Sequence, residues 1–201
     1  MIDKAQDIQD LMAGGKTRVH IEDPMAAKKF GYDLFARLER YSGLSGQPLV
    51  LLCIGTDRST GDCLGPLVGT KLASSNQDLF AVYGTLDQPV HASNLQEKLD
   101  EIYRVHQNPL VIAVDASLGS VDSVGFVTIG DGALHPGAGV NKKLPPVGEI
   151  HITGIVNVGG FMEYLVLQNT RLNLVMRMAD VIAQGILHTI ALCTKQETRE
   201  I

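Results

Sequence analysis

The sequence predicts a single three-layer α/β/α domain built on a mostly parallel, doubly wound sheet. Three observations lead to this fold class. The apolar run at residues 48–54 has the composition of a strand that is covered on both faces. Further strand-like runs alternate with helical patterns along the chain. Polar or glycine-rich segments follow several of these runs, and ligands of such sheets bind at the carboxyl ends of the strands.

The predicted elements follow one another in a regular order. A first helix covers residues 25–41 and begins at Asp23-Pro24, an N-cap residue followed by proline at the first helical position. After the strand at 48–54, further strands are predicted at 79–83, 110–114, 124–129 and 149–156. The other predicted helices cover 62–74, a segment opening at 93, 159–167 and 171–193. Between two of these strands, residues 130–148 form a long loop rich in glycine and proline.

The length and composition fit one domain spanning residues 1–201. The chain has 201 residues, of which 45% are hydrophobic, and a chain of this size can bury its apolar surface in one core. We expect residues 1–22 to be a loosely ordered segment and the polar tail at 195–201 to be frayed. The sequence leaves the oligomeric state open, including a homo-oligomer.

The charge and the cysteines limit the partners and the compartment. Lysine and arginine number 17 against 22 aspartates and glutamates, so the net charge of −5 provides no basic field for nucleic acid or an anionic membrane. No window holds the roughly 18 uncharged apolar residues of a membrane span, and the N-terminus has no secretory signal pattern. Three cysteines without paired spacing favour the reducing cytoplasm.

The loop after the first apolar run resembles a phosphate-binding loop but has the wrong charge. Gly55 and Gly61 are separated by five residues, and Asp62-Cys63 stands where a Walker loop has lysine and a hydroxyl residue. A carboxylate there repels phosphate. Asp62 therefore has two interpretations, a structural cap of the helix that follows and a catalytic acid.

A second aspartate favours the catalytic interpretation. Asp115 closes the buried run at 110–114, so Asp62 and Asp115 face each other across the crevice if the two preceding strands are neighbours. Two adjacent carboxylates share a proton, and such a pair can act as a base toward water and as an acid toward a leaving amine. The same pair is also suited to hold a divalent metal if a third ligand lies nearby.

Three separated motifs give the sequence a family resemblance. They are residues 55–66 with the ending Asp62-Cys-Leu-Gly-Pro66, Val114-Asp115-Ala116, and His135-Pro-Gly-Ala-Gly-Val-Asn141. Together they resemble the germination proteases of spore-forming bacteria, and residues 18–179 more closely resemble the YyaC-type spore proteases. The resemblance implies a hydrogenase-maturation-protease-like, phosphorylase-hydrolase-like fold, with Asp62 and Asp115 as catalytic aspartates.

The same resemblance indicates the setting and the cofactor. It implies an endopeptidase that cuts a protein or peptide substrate in the cytoplasm of a forespore or spore. In the hydrogenase-maturation enzymes a histidine follows the last strand and engages nickel, whereas Asn157 occupies that position here. An amide is a poor ligand for such an ion, so no cofactor is expected, and Asn157 is assigned to orient substrate or a carboxylate.

Two alternatives stay open from the sequence. One is a non-catalytic sporulation protein whose crevice binds a peptide or ligand, and the other is a metal-dependent peptidase in which His91 or His135 replaces the missing ligand. In each case further polar residues are candidates for substrate binding, although Asp57 and Arg58 are also suited to a loop ion pair. The substrate-binding candidates are Asp57, Arg58, His91, His135, Asn141 and Asn157.

Overall fold

The computed structural model describes residues 15–42, 46–137 and 144–197. The strands in these residues are β1 (Thr17–His20), β2 (Leu49–Cys53), β3 (Phe80–Tyr83), β4 (Leu110–Gly119), β5 (Phe126–Asp131) and β6 (Ile150–Val158). The helices are α1 (Ala26–Ser42), α2 (Leu64–Ala73), α3 (Leu95–Val105), α4 (Glu163–Gln168) and α5 (Leu172–Glu197). A short 3₁₀ turn at Val121–Ser123 follows β4. The α/β fold class predicted from the sequence is confirmed.

The six strands form one mixed sheet in the order β1-β5-β6-β4-β2-β3. Strands β3, β2, β4 and β6 are parallel neighbours, whereas β5 runs antiparallel to β6 and β1 antiparallel to β5. The chain leaves β2 toward β3 on one side and returns to β4 on the other side. The strand order therefore reverses between β2 and β4, which is where ligands bind in sheets of this kind.

Helices cover both faces of the sheet and make it a three-layer structure. On one face the apolar sides of α1, α2 and α5 bury residues such as Phe30, Val68 and Ile182 against the sheet. On the other face α3 buries Leu95, Leu99 and Ile102 against β2 and β4. Strand β2 lies between these two cores and is buried at every residue, as expected for a central parallel strand.

Helix α5 is a core helix of the domain. Among the described residues, the segment Leu172–Lys195 is the one stretch of helix long and apolar enough to cross a membrane by length and composition alone. However, several of its side chains are fully buried in the core beside α1, and this packing explains the apolar composition. These side chains are Val175, Met178, Ala179, Ile182 and Ile186.

Three elements, β1, β4 and α5, differ from the sequence-based prediction. Segment 1–22, expected to be loosely ordered, includes β1, whose Val19 is buried in the core; four residues were too few to show an alternating pattern. Strand β4 does not end before Asp115 but continues to Gly119, because β6 pairs with this extension. In addition, α5 continues to Glu197, into the tail that we expected to be frayed.

None of the three cysteines forms a disulfide. Cys53, Cys63 and Cys193 are all buried. Burial raises the pKa of the Cys53 and Cys63 thiols, so both favour the unreactive protonated form. They behave as small apolar side chains of the core.

Candidate active site

The loop after β2 brings Asp62 back onto the end of that strand. Gly55 has a φ of +143°, and a Cβ atom at this position would overlap the carbonyl group of Asp62. The N–H group of Thr56 donates to the same carbonyl oxygen at 3.2 Å. Only glycine allows this backbone path and this close approach. The glycine of the sequence motif thus places the acid at the carboxyl end of β2.

A second glycine seats α2 on the same strand end. A Cβ atom at Gly65 would overlap the carbonyl group of Ile54. We expect Gly65→Ala to lower the free energy of unfolding by about 1–3 kcal/mol, because the helix must move away from the sheet. Urea denaturation checks this prediction. The matched control is Gly15→Ala, where a Cβ meets nothing within 4 Å and little change is expected, so equal losses in both variants would contradict it.

Asp62 does not cap helix α2. The N-cap residue is Cys63, and the helix start receives no hydrogen bond from that side chain; the Cys63 thiol instead donates to the Thr60 carbonyl at 2.9 Å. The structural interpretation of Asp62 as a helix cap is therefore not what the geometry shows. The helix start does not use the carboxyl group of Asp62, which is partly buried near the carboxyl end of β2.

Asp115 lies in β4 next to this crevice. Strand β4 is the direct neighbour of β2, with Cys53 opposite Val114, so the next residue along β4 passes the end of β2. The N–H group of Ala116 donates to Oδ1 of Asp115 at 2.8 Å. Asp115 is surrounded by protein but keeps partial access to solvent. It therefore lies near the end of β2 and is not sealed in the core.

The electrostatics show that the two carboxyl groups interact. Burial raises the pKa of Asp115 well above its usual range, the negative charge of Asp62 raises it further, and the Ala116 N–H opposes this rise. Burial also raises the pKa of Asp62, and the N–H of Thr56 and the nearby His91 oppose that rise. Asp115 therefore holds a proton more firmly than Asp62, which is the asymmetry needed for an acid and a base in one site.

His91 is the third polar side chain near the pair. Val90 forms a parallel bridge with Ile54, and its carbonyl accepts the N–H of Gly55 at 2.8 Å. This pairing brings the loop after β3 beside the loop that carries Asp62, and His91 lowers the pKa of Asp62. His91 also accepts the N–H of Ser93 on Nδ1 at 3.3 Å, which orients its ring.

Asp57 and Arg58 lie at the exposed rim of the loop. They form no ion pair with each other in the described part of the chain, so the loop ion pair considered from the sequence is absent. The Thr56 hydroxyl accepts the N–H of Arg58 at 3.3 Å. The Thr56 hydroxyl also donates to Oδ1 of Asp57 at 3.5 Å. Both charged side chains are exposed, and their assignment to substrate binding stays a prediction.

The structure does not bring His135 to the carboxylates. Leu134 beside it bridges to Val147, and the carbonyl of Val111 accepts the N–H of Glu149 at 2.9 Å, so the loop is anchored near the amino end of β4. Val111 is four residues before Asp115, a separation of about 13 Å along a strand. Asn141 lies outside the described residues.

The side chain of Asn157 forms hydrogen bonds to other parts of the protein. Its Nδ2 donates to the Val166 carbonyl at 3.3 Å and to the Thr170 hydroxyl at 3.2 Å, and its Oδ1 accepts the N–H of Val158 at 2.8 Å. These bonds connect the end of β6 to α4, through Val166, and to Thr170 between α4 and α5. In the described structure Asn157 therefore positions this segment, and direct substrate binding by it stays a prediction.

An apolar groove that the sequence did not indicate lies beside the Asp62 loop. The groove has a volume of about 560 Å³, and Val158, Phe161, Met162 and Leu165 line it. Phe161 is 86% exposed. The N–H of Gly61 donates to the Leu167 carbonyl at 2.8 Å, which links the groove wall to the residue before Asp62. Exposed apolar surface of this kind marks sites of interaction.

The donor set does not fit a metal site. Among the described residues, no three histidine, cysteine or acidic side chains are grouped so that they could hold a metal ion. The side-chain amide of Asn157 donates hydrogen bonds to a backbone carbonyl and to a hydroxyl group. We therefore derive no catalytic step through a metal.

The fold and the site define an α/β protein in which two aspartates, Asp62 and Asp115, interact near the switch point of the sheet. Comparison with known proteins places the chain more closely: residues 18–185 match the family described as "Protein of unknown function (DUF1256)", and the chain belongs to this family. It is 58% identical over 171 residues to the "Uncharacterized protein YyaC" of Bacillus subtilis (strain 168), covering 85% of this chain and 82% of that protein.

A solved structure is also similar to this chain. It is the crystal structure of the [NiFe] hydrogenase maturation protease HycI from Thermococcus kodakarensis KOD1, with 18% identity and a TM-score of 0.44. The similarity covers 71% of this chain and 95% of that chain.

Proposed function

We propose that this protein is an endopeptidase in which Asp62 and Asp115 activate water against a peptide bond. The observation that carries the proposal is the interaction of the two carboxyl groups, in which the charge of Asp62 raises an Asp115 pKa that burial has already raised. Two carboxyl groups that differ in proton affinity supply the base and the acid that amide hydrolysis needs.

The directions of the two pKa shifts support a different role for each carboxyl group. Asp62, as the ionised member, takes a proton from water while the water oxygen forms a bond to the carbonyl carbon. Asp115, as the protonated member, transfers its proton to the carbonyl oxygen as negative charge develops there, so the tetrahedral intermediate has two hydroxyl groups and no charge on oxygen. When the C–N bond breaks, the leaving nitrogen takes the proton held by Asp62, and Asp115 recovers its own. The protons therefore balance without a further reactant.

The proposed setting rests on the family resemblance of the three sequence motifs. We place the activity in the cytoplasm of a forespore or spore, with a protein or peptide as substrate. The exposed charges of Asp57 and Arg58 and the neighbouring His91 surround the mouth of the crevice, where they would contact substrate.

The direct test is incubation of the purified protein with unfolded spore proteins, followed by sequencing of the fragments. We expect internal cleavage that produces new N-termini, because the pair attacks a peptide bond with water alone. The matched control is the double variant Asp62→Asn/Asp115→Asn, which keeps the shape of both side chains. A fragment pattern identical to that of the double variant would overturn the proposal.

A second candidate function is peptide binding without cleavage, and the apolar groove favours it. Phe161, Met162 and Leu165 expose apolar surface next to the crevice, a feature that hydrolysis itself does not require. Peptide that binds equally well to the wild-type protein and to the double variant, and is returned intact by both, would support this candidate instead.

A further inference from the structure

Strand β4 extends past its neighbour β2 at the cleft. The pairing of β2 with β4 reaches Cys53 and Val114, whereas β4 continues to Gly119. On its other side this extension stays paired with β6, from Asp115 opposite Thr153 to Gly119 opposite Val158. Within the described residues no strand lies along the β2 side of the extension. This part of β4 is therefore a free sheet edge inside the domain.

The backbone groups on this edge have a defined direction. The carbonyl of Val114 accepts the N–H of Ile54 at 2.7 Å, so Val114 faces β2. Residues alternate along a strand, so Ala116 and Leu118 face the same side, beyond the end of β2. The carbonyl of Gly119 accepts the N–H of Gly159 at 2.8 Å, which confirms that the odd-numbered residues face β6.

The free edge begins at the catalytic pair. The N–H of Ala116 is the group that holds the Asp115 carboxyl, at 2.8 Å. Past this bond the edge presents the carbonyl of Ala116 and the N–H of Leu118. A free edge of this kind pairs with an extended peptide through main-chain hydrogen bonds. A peptide paired here would pass directly beside Asp115.

We propose that the substrate binds as an added strand along Ala116–Leu118, so that the pair acts only on extended, unfolded polypeptide. This inference rests on the proposed function, because it assigns the substrate class of the same site. Main-chain pairing forms hydrogen bonds with the peptide backbone, so it requires an extended peptide and not a particular sequence. A folded substrate would first have to expose a segment without internal backbone bonds.

The test removes one donor from the edge. Leu118→Pro eliminates the Leu118 N–H, and since this group faces away from β6, the existing sheet can accept proline there. The matched control Leu118→Ala loses the side chain but keeps the N–H. Peptides are selected from a synthetic library of randomised decapeptides on the Asp62→Asn variant, in which cleavage does not consume them. We expect Leu118→Pro in that background to bind the selected peptides about tenfold more weakly than Leu118→Ala.

A second measurement does not depend on the folding of a variant. Single N-methyl groups are placed along a selected peptide, each removing one peptide N–H. We expect weaker binding at alternate positions, because every second residue of a paired strand faces its neighbour. Losses without this period of two would overturn strand addition, as would equal binding by the proline and alanine variants or a library that yields no binder.

The outcomes separate this inference from the proposed function. Selected peptides that bind in the alternating pattern but stay intact with the wild-type protein overturn the peptidase and support strand addition. Cleavage of spore proteins without sensitivity to Leu118→Pro or to alternate N-methylation supports the peptidase and overturns strand addition.

Discussion

Asp115→Ala is expected to abolish peptide cleavage, with a fall in kcat/KM of about 10²–10⁴-fold or more. The variant removes the carboxyl group whose raised pKa keeps a proton available to the substrate carbonyl. Asp62→Ala is expected to have an effect of similar size, because no base is then left to take the proton from water. Steady-state kinetics on a peptide from the fragment-sequencing experiment provide the measurement.

The control for this prediction is another aspartate in the same part of the chain. Asp122 is exposed in the 3₁₀ turn that follows β4, and Asp122→Ala should leave kcat/KM nearly unchanged. Circular dichroism should show the same fold in all three variants. Cleavage retained by both Asp62→Ala and Asp115→Ala would show that the reaction, if present, uses other groups.

The position of Asp62 and Asp115 could be predicted from the sequence because it follows from how parallel strands are arranged. Parallel strands end at a common edge, so acids after two buried runs meet if those strands are neighbours. The pairing of β2 with β4 satisfies that condition. What the sequence did not show is that β4 continues beyond Asp115: Ala116–Gly119 resembles a turn, and only its partner β6 makes it a strand.

Other features depend on long-range packing and could not be derived from local patterns. His135 was assigned to the cleft, yet its loop is anchored near the amino end of β4. Asn157 connects β6 to α4 and also lines the apolar groove, so its assignment to substrate binding stays a prediction. The apolar groove was missed because Phe161 and Leu165 have the composition of a helix that faces a core. Their exposure to solvent, which indicates a binding surface and not a core helix, depends on how the whole chain packs.

Asp115→Asn is expected to stabilise the fold at neutral pH although it removes activity. Asparagine keeps the shape of the side chain and still accepts the Ala116 N–H, but it carries no charge to bury. The free energy of unfolding should rise by roughly 1.4 kcal/mol for each unit by which the fold raises the Asp115 pKa, up to the pH of the measurement. Urea denaturation of the two proteins at pH 7 measures the difference.

The pH dependence gives this prediction its sign. The folded state binds the Asp115 proton more tightly than the unfolded state, because the pKa is raised from 3.8. Below pH 3.8 the wild-type protein therefore has the full stabilising contribution of this proton, and it loses this contribution as the pH rises through the folded-state pKa. The difference in unfolding free energy between Asp115→Asn and the wild-type protein should grow between pH 3.8 and the folded-state pKa of Asp115, and then level off.

An exposed aspartate again provides the comparison. Asp122→Asn changes an exposed side chain on the surface, so at pH 7 its free energy of unfolding should lie within about 0.5 kcal/mol of the wild-type value. If Asp115→Asn behaves in the same way, the Asp115 carboxyl is as well solvated in the folded state as in the unfolded chain. Its role as a proton donor would then lose its physical basis, because an acid with an ordinary pKa carries no proton at neutral pH. The stability measurement thus tests the mechanism without any substrate.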